Sequence, residues 1–322
     1  MVLARAIDSI SRDLVFYPPN PTYKLESAGD GSGELCFRPK LRCVLLALVC
    51  SQKLAGKPLL HEAGLKLNRH LIRPYNLQAG FVDASDKSWL RGSGPAAATR
   101  LVTAWVPART PTKRTILHSH GNAVDLGGML PIYERMAREL GCNIAGWDYR
   151  GYGQSSGVPA ASLMSRDLER VLRALQAARG LAPSDIVLYG QSVGSGPTCQ
   201  IAAGRAGRGL AGVVLHSPFL SGIRVLNPEW TWWPSWADVF PNYKAAPRIR
   251  GPTLIVHGDA DDVIPIQHAH ALQRLCPGAV PPLWVEGATH DDVELSPHFL
   301  PHLRRFLEET CWAQSPGAAQ DY

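Results

Sequence analysis

Ile186-Val187-Leu188-Tyr189-Gly190-Gln191-Ser192-Val193-Gly194 is a short apolar, β-rich run that ends at a serine standing midway between two glycines. The residues that follow are compatible with a helix. A serine at so sharp a strand-to-helix turn is held in strained backbone geometry that lifts its hydroxyl clear of the sheet, and small neighbours keep the turn from colliding with itself. Ser192 is therefore the candidate nucleophile. The pentapeptide alone recurs by chance, so its meaning depends on the strand before it, the helix after it and the groups further along the chain.

On both sides of this stretch the chain alternates between two periodicities. Leu101–Val106, Thr115–His118, Asn143–Asp148, Gly212–His216, Thr253–His257 and Pro282–Val285 are further short apolar runs that read as strands, as Ile186–Tyr189 does. Between them, Leu163, Leu168, Val171, Leu172 and Leu175 form a helical stripe, as do Leu272 and Leu275, and Phe299, Leu303 and Leu307. Strand alternating with helix predicts an α/β domain: a mostly parallel central sheet with helices on both faces and ligands bound beyond the carboxyl ends of the strands. The domain is placed at residues 100–312, between an N-terminal extension at 1–99 and a short tail at 313–322.

A serine hydroxyl is a poor nucleophile until a base removes its proton, and an imidazole serves as that base when a carboxylate fixes its tautomer. Two later loops supply both. His257-Gly258-Asp259-Ala260-Asp261-Asp262 closes one strand and Gly287-Ala288-Thr289-His290 closes another, giving the chain order serine, aspartate, histidine of the α/β-hydrolase fold. His290 is the expected base. Asp261, in the middle of its loop, is the preferred acid, with Asp259 and Asp262 as alternatives. The tetrahedral intermediate of acyl transfer also needs an oxyanion hole, usually two backbone N–H groups. Val193, after the nucleophile, is one candidate donor. The other is placed in His118-Ser119-His120-Gly121-Asn122-Ala123, at Asn122 first and Ala123 second, with His120 read as a loop-packing imidazole. This chemistry calls for no metal and no organic cofactor.

Composition sets the outer limits. With 45% apolar and 19% charged residues in 322, the chain buries a sizeable core and is not compositionally disordered. The apolar run Cys43–Cys50 is far shorter than the roughly 20 residues of a spanning helix, and Asp8 and Asp13 interrupt any secretory-signal pattern, so a cytoplasmic site is expected. Seven scattered cysteines without a C-x-x-C pair argue against a disulfide framework and a structural zinc site. Up to residue 99 there are 13 basic against 8 acidic residues, and beyond it 20 against 19, so the net charge of +6 sits mostly in the extension. Between residues 35 and 82, Arg38, Lys40, Arg42, Lys53, Lys57, Lys66, Arg69 and Arg73 face the single acid Glu62. Such a stretch is drawn to an anionic membrane surface, by about 1 kcal/mol per basic group, or else forms a solvated face; nucleic acid is not an expected partner. Leu3, Ile7, Ile10 and Leu14 lie on one side of a short helix that docks on the domain or lies in a lipid interface. Cys36, Cys43 and Cys50 are either buried thiols or acylation sites that add a second anchoring signal. Trp230, Trp232, Trp233 and Trp236 cluster after the Gly212–His216 strand, where an aromatic-rich cap walls an acyl-chain groove, touches the membrane interface, or simply packs on the domain.

Five segments, in one order along the chain, resemble the α/β-hydrolase domain-containing protein 17 family. They are His118-Ser-His-Gly-Asn-Ala-Val-Asp-Leu-Gly127, Asp148-Tyr-Arg-Gly-Tyr-Gly-Gln-Ser-Ser-Gly157, Leu188-Tyr-Gly-Gln-Ser192, His216-Ser-Pro-Phe-Leu-Ser-Gly222 and Trp284-Val-Glu-Gly-Ala-Thr-His290, with a short echo at Pro18-Pro19-Asn20-Pro21-Thr22-Tyr23. The resemblance implies a serine hydrolase at the cytosolic face of membranes that removes palmitoyl groups from the cysteines of proteins, with Ser192, Asp261 and His290 in the family's triad positions. Its partners would be palmitoylated proteins. A carboxylesterase or lipase acting on small or glycerol esters is the alternative, because the same groups serve oxygen and sulfur leaving atoms. Two departures stand out: animal members begin with a cysteine-rich segment, whereas this chain has no cysteine before Cys36, and Arg150 stands where they carry a small residue.

Overall fold

All seven apolar runs read from the sequence are strands in the computed structural model, which describes residues 16–27, 35–39, 78–83, 99–226 and 238–313. In chain order the strands are β1 (Tyr23–Ser27), β2 (Leu35–Pro39), β3 (Gln78–Asp83), β4 (Arg100–Val106), β5 (Thr115–Ser119), β6 (Asn143–Trp147), β7 (Ile186–Gln191), β8 (Gly212–His216), β9 (Thr253–Gly258) and β10 (Leu283–Val285). They form one sheet in the order β1-β2-β3-β4-β6-β5-β7-β8-β9-β10. From β6 to β10 every pairing is parallel, and from β1 to β6 every pairing is antiparallel. Strands β5, β6, β8 and β9 are buried at every position, as apolar runs covered on both faces must be.

The helices are α1 (Leu126–Leu140), α2 (Ala161–Arg179), α3 (Ser195–Ala202), α4 (Gly222–Leu226), α5 (Asn242–Ala245), α6 (Gln267–Leu275) and α7 (Phe299–Phe306). Because successive side chains on a strand point to opposite faces, Ile116 and Ile144 join α1 and α7 on one side, while Leu117 and Ala145 join α2 on the other. Asp125 caps α1 by accepting from the Gly128 N–H, and Gly141, at φ 61°, ends the helix in left-handed backbone. The expected stripes hold with two adjustments. On α2 it is Met164 rather than Leu163 that is buried, and on α6 Leu272 is buried while Leu275 is exposed.

The sheet continues into the segment read as an extension. β3 pairs with β4 from Gln78 opposite Trp105 to Asp83 opposite Arg100, and β2 and β1 follow it outward. Phe16 and Tyr23 are buried with the domain's core residues. These strands escape a reading for continuous apolar runs because each mixes apolar residues with polar or charged ones: Lys24 and Glu26 in β1, Arg38 in β2, and Gln78 and Asp83 in β3. The expected helix through Leu3 and Leu14, the residues Cys43 and Cys50, and the cap tryptophans Trp230, Trp232, Trp233 and Trp236 lie outside the described residues. Cys36 falls within β2. Among the described residues no helix is long and apolar enough to cross a membrane.

The chain runs from β5 to β6 on one side and then back across to β7 on the other, so the strand order reverses beside β5. The helices that follow β5 and β7 pack on opposite faces of the sheet, and the carboxyl edge between two such strands is the usual ligand position in sheets of this kind. The loops after β9 and β10 reach the same edge.

Candidate active site

β7 delivers Ser192 at φ 51°, a left-handed conformation that a non-glycine residue adopts only when its surroundings hold it there. Those surroundings are backbone. A Cβ on Gly190 would stand 2.6 Å from the Gly194 carbonyl oxygen, and one on Gly194 would stand 2.2 Å from the Ser119 carbonyl oxygen. The glycines thus allow the turn to close on itself and to press against the loop after β5, which fixes where the serine hydroxyl emerges.

The loop after β10 brings His290 to that hydroxyl, with Nε2 3.0 Å from Ser192 Oγ. Its Nδ1 lies 2.8 Å from Asp261 Oδ2 on the loop after β9. Asp261 is itself anchored, since Oδ1 accepts from the Ile264 N–H at 2.7 Å and the Val263 N–H at 3.0 Å. The two alternative acids stand elsewhere: Asp259 accepts from the Gly287 N–H at 2.7 Å, tying the two loops together, and Asp262 is exposed. Ser192, His290 and Asp261 are therefore the three that meet.

Electrostatics keep the acid charged and make the imidazole a stronger base. Burial works against charge on Asp261, but hydrogen bonds from His257, His290 and the Ile264 N–H, and the proximity of the His290 imidazole, hold its carboxyl below the usual range. For His290, burial favours the neutral ring, yet the hydrogen bond and charge of Asp261, then Asp291 and Glu294, outweigh it and raise its pKa above 6.5. His257, at the end of β9, places Nε2 3.1 Å from Asp261 Oδ2 and 2.7 Å from the Ile264 carbonyl oxygen. It meets the same carboxylate oxygen as His290 does. In the sequence His257 stands only as the first residue of a loop motif, and its position directly at a strand end is the available signal.

The loop after β5 passes over the nucleophile: a Cβ on Gly121 would lie 3.9 Å from that of Ser192. Val193 is buried at the turn itself. Asn122 directs its side-chain oxygen to the Tyr17 N–H at 3.0 Å and the Tyr152 hydroxyl at 2.6 Å, and Ala123 next to it is left-handed at φ 56°. His120 is wholly buried, donates from Nδ1 to the Gly121 carbonyl oxygen at 2.8 Å and stacks on Tyr149. It packs the loop from beneath.

Glu294 is not singled out by the sequence, and Arg150 stands out there only as a departure from the family pattern. Glu294 accepts from the Gln191 amide at 2.7 Å, lies 3.7 Å from His216 Nδ1, and is pushed by burial up to a pKa of about 7. Nothing in the spacing of the chain marks it, because it reaches Gln191 across 103 residues. Arg150 now has a physical role. Its guanidinium forks onto Asp167 of α2, with Nε to Oδ2 at 2.6 Å and Nη2 to Oδ1 at 2.8 Å, and tethers the loop after β6 to that helix. Among the described residues no cluster of histidine, cysteine or carboxylate side chains could hold a metal ion.

Residues 110–245 match the family model described as serine aminopeptidase, S33. The chain is 40% identical over 215 residues to the alpha/beta hydrolase domain-containing protein 17C of Mus musculus, covering 67% of this chain and 66% of that one. It is 41% identical over 210 residues to the 17B protein of Homo sapiens, covering 65% and 72% respectively. The match therefore spans just under two thirds of the mouse relative's length. Among solved structures, the Pyrococcus furiosus esterase Pf2001 is similar in fold, with a TM-score of 0.56 at 16% identity over 73% of this chain and 93% of that one.

Proposed function

The chain belongs to the alpha/beta hydrolase domain-containing protein 17 family, and from that premise we propose that this serine hydrolase removes long-chain acyl groups, palmitoyl above all, from protein cysteines by thioester hydrolysis. The observation that carries the reading is the unbroken line from Asp261 through His290 to Ser192, at 2.8 and 3.0 Å, ending on a serine held in left-handed backbone.

In this reading Ser192 Oγ attacks the thioester carbonyl carbon while His290 Nε2 takes its proton. Asp261 keeps the proton of His290 on Nδ1, so that Nε2 presents its lone pair, and stabilises the imidazolium that forms. The carbonyl oxygen becomes an oxyanion held by the N–H groups of Val193 and Asn122, each such donor being worth about 2.7–4 kcal/mol in the transition state. Collapse breaks the carbon–sulfur bond, and the cysteine sulfur leaves with the proton from His290. Water, deprotonated by the same imidazole, then attacks the acyl-serine and releases the fatty acid and the free Ser192 hydroxyl.

Turnover of an S-palmitoylated peptide against its oxygen-ester counterpart tests the substrate, and Ser192→Ala tests the nucleophile. The expected result is faster cleavage of the thioester, with both turnover and fluorophosphonate labelling lost in Ser192→Ala. Preference for the oxygen ester would move the protein to the carboxylesterase reading. Substantial hydrolysis by Ser192→Ala would remove the nucleophile from it.

A further inference from the structure

The loop between β5 and α1 is held at both ends by a segment that comes from about a hundred residues earlier in the chain. At its near end, Asn122 Oδ1 receives the Tyr17 N–H and the Tyr152 hydroxyl. A carboxamide oxygen has two lone pairs, and here both are used. At its far end, Asp125 accepts from both the main-chain N–H of Thr22, at 2.7 Å, and the Thr22 hydroxyl. The Tyr23 hydroxyl donates to Asp148 Oδ2 at 2.5 Å, and the other oxygen of Asp148 accepts from the Leu126 N–H at 2.9 Å. The strap is fastened in turn by Phe16, which is buried with its ring centroid 6.5 Å from those of both Tyr152 and Phe240.

This fastening has a particular shape. The Tyr17 ring is 58% exposed and adds little to packing, while the N–H of the same residue is directed at Asn122. Between the two anchor points stands Ala123 at φ 56°, a conformation that relaxes unless neighbouring bonds hold it. A preorganised donor acts only if its N–H is fixed before charge develops on the substrate.

We infer that residues 16–23 are a positioning strap for the oxyanion loop: the Tyr17 N–H and the Tyr152 hydroxyl clamp the Asn122 side chain, and so fix the direction of its main-chain N–H. The inference rests on the reading of Asn122 as an oxyanion donor. Tyr17 and Tyr152 act through Asn122 and touch no reacting atom. The strap thus contributes to kcat, and its contribution to substrate affinity is small.

The test uses the full chain and a soluble p-nitrophenyl ester. Tyr17→Ala and Tyr17→Pro both remove the ring, but only proline removes the N–H, and the Pro18 that follows already biases position 17 toward the extended backbone a proline accepts. The difference between the two variants therefore reads the main-chain donor. The expected result is a kcat for Tyr17→Pro about tenfold below that of Tyr17→Ala, a part of the 10²–10³-fold cost of losing an oxyanion donor outright, with KM within about twofold. Tyr152→Phe, compared with the unaltered chain, should lower kcat in the same way and decides the matter if Tyr17→Pro fails to fold. Equal kcat for the two Tyr17 variants, a loss carried by KM alone, or an unchanged kcat in Tyr152→Phe overturns the inference. Ser192→Ala run alongside separates the two levels: if it is inactive while the Tyr17 pair is equal, only the strap fails, whereas if it still turns over, the hydrolase mechanism and the strap fail together.

Discussion

Replacing Gly194 by alanine adds one methyl group at the point where the nucleophile turn meets the loop after β5. The new Cβ would lie 2.2 Å from the Ser119 carbonyl oxygen, 2.7 Å from its carbon and 2.8 Å from the His120 carbonyl oxygen, all of them backbone atoms that cannot rotate away. Relief requires the turn and the loop to separate by roughly 0.8–1 Å, and misplacement of that size costs on the order of 10²-fold in rate. Ser192 sits on one of the separating parts and Asn122 on the other, so both the attack distance and the oxyanion hole are disturbed. Overpacking of this kind costs about 1–3 kcal/mol of stability, a fall in Tm of about 3–10 °C for a domain of this size. The assay is kcat and KM on a p-nitrophenyl ester together with a thermal melt of the same preparation. The expected outcome is a kcat about a hundredfold lower in a protein that still melts cooperatively. A variant with kcat within twofold of the parent and an unchanged Tm would refute the close approach on which the geometry of the turn depends.

Three other outcomes follow from the site. Asp261→Asn preserves shape but removes the charge that selects the His290 tautomer, and should lower kcat by about 10⁴-fold; a loss below tenfold would show that another group orients the imidazole. Because His290 must be neutral to take the serine proton and its pKa is raised, the acid limb of kcat/KM should fall above pH 6.5 in the parent protein; a limb at or below 6.5 would contradict the placement of Asp261. Glu294, raised from 4.5 to about 7 by burial, binds its proton more tightly folded than unfolded. Its contribution is therefore complete below about pH 4.5 and is lost as pH rises through 7, by about 3 kcal/mol. Between pH 4.5 and 8, Glu294→Gln should lose correspondingly less stability in urea melts than the parent, and identical pH slopes would count against a buried carboxyl at this position.

What could be read along the chain is what local chemistry encodes. The strands β4 to β10 were legible because each is a short run of mostly apolar residues, four of them (β5, β6, β8 and β9) buried at every position, and such runs need no knowledge of their neighbours to be recognised. The turn at Ser192 was legible because only small residues fit at positions 190 and 194. Helix α1 was masked by its own composition, since Gly127, Gly128 and Pro131 are breakers that packing of Met129, Leu130, Tyr133 and Met136 against the sheet overrides.

The order serine, aspartate, histidine and the strand ends from which each projects are written along the chain, but so are three aspartates in one loop. The assembled fold selects among them by aiming Asp261 at His290 and turning Asp259 to the Gly287 N–H. The same holds for Glu294 against Gln191, Arg150 against Asp167, and the strap at residues 16–23 against Asn122 and Asp125. Each joins residues from distant parts of the chain, at separations of up to 105 positions, and no periodicity or motif records a contact that exists only after the sheet has assembled. Hydrophobic pattern is a property of neighbours in sequence, whereas the direction of a polar side chain is settled by whatever the fold places beside it.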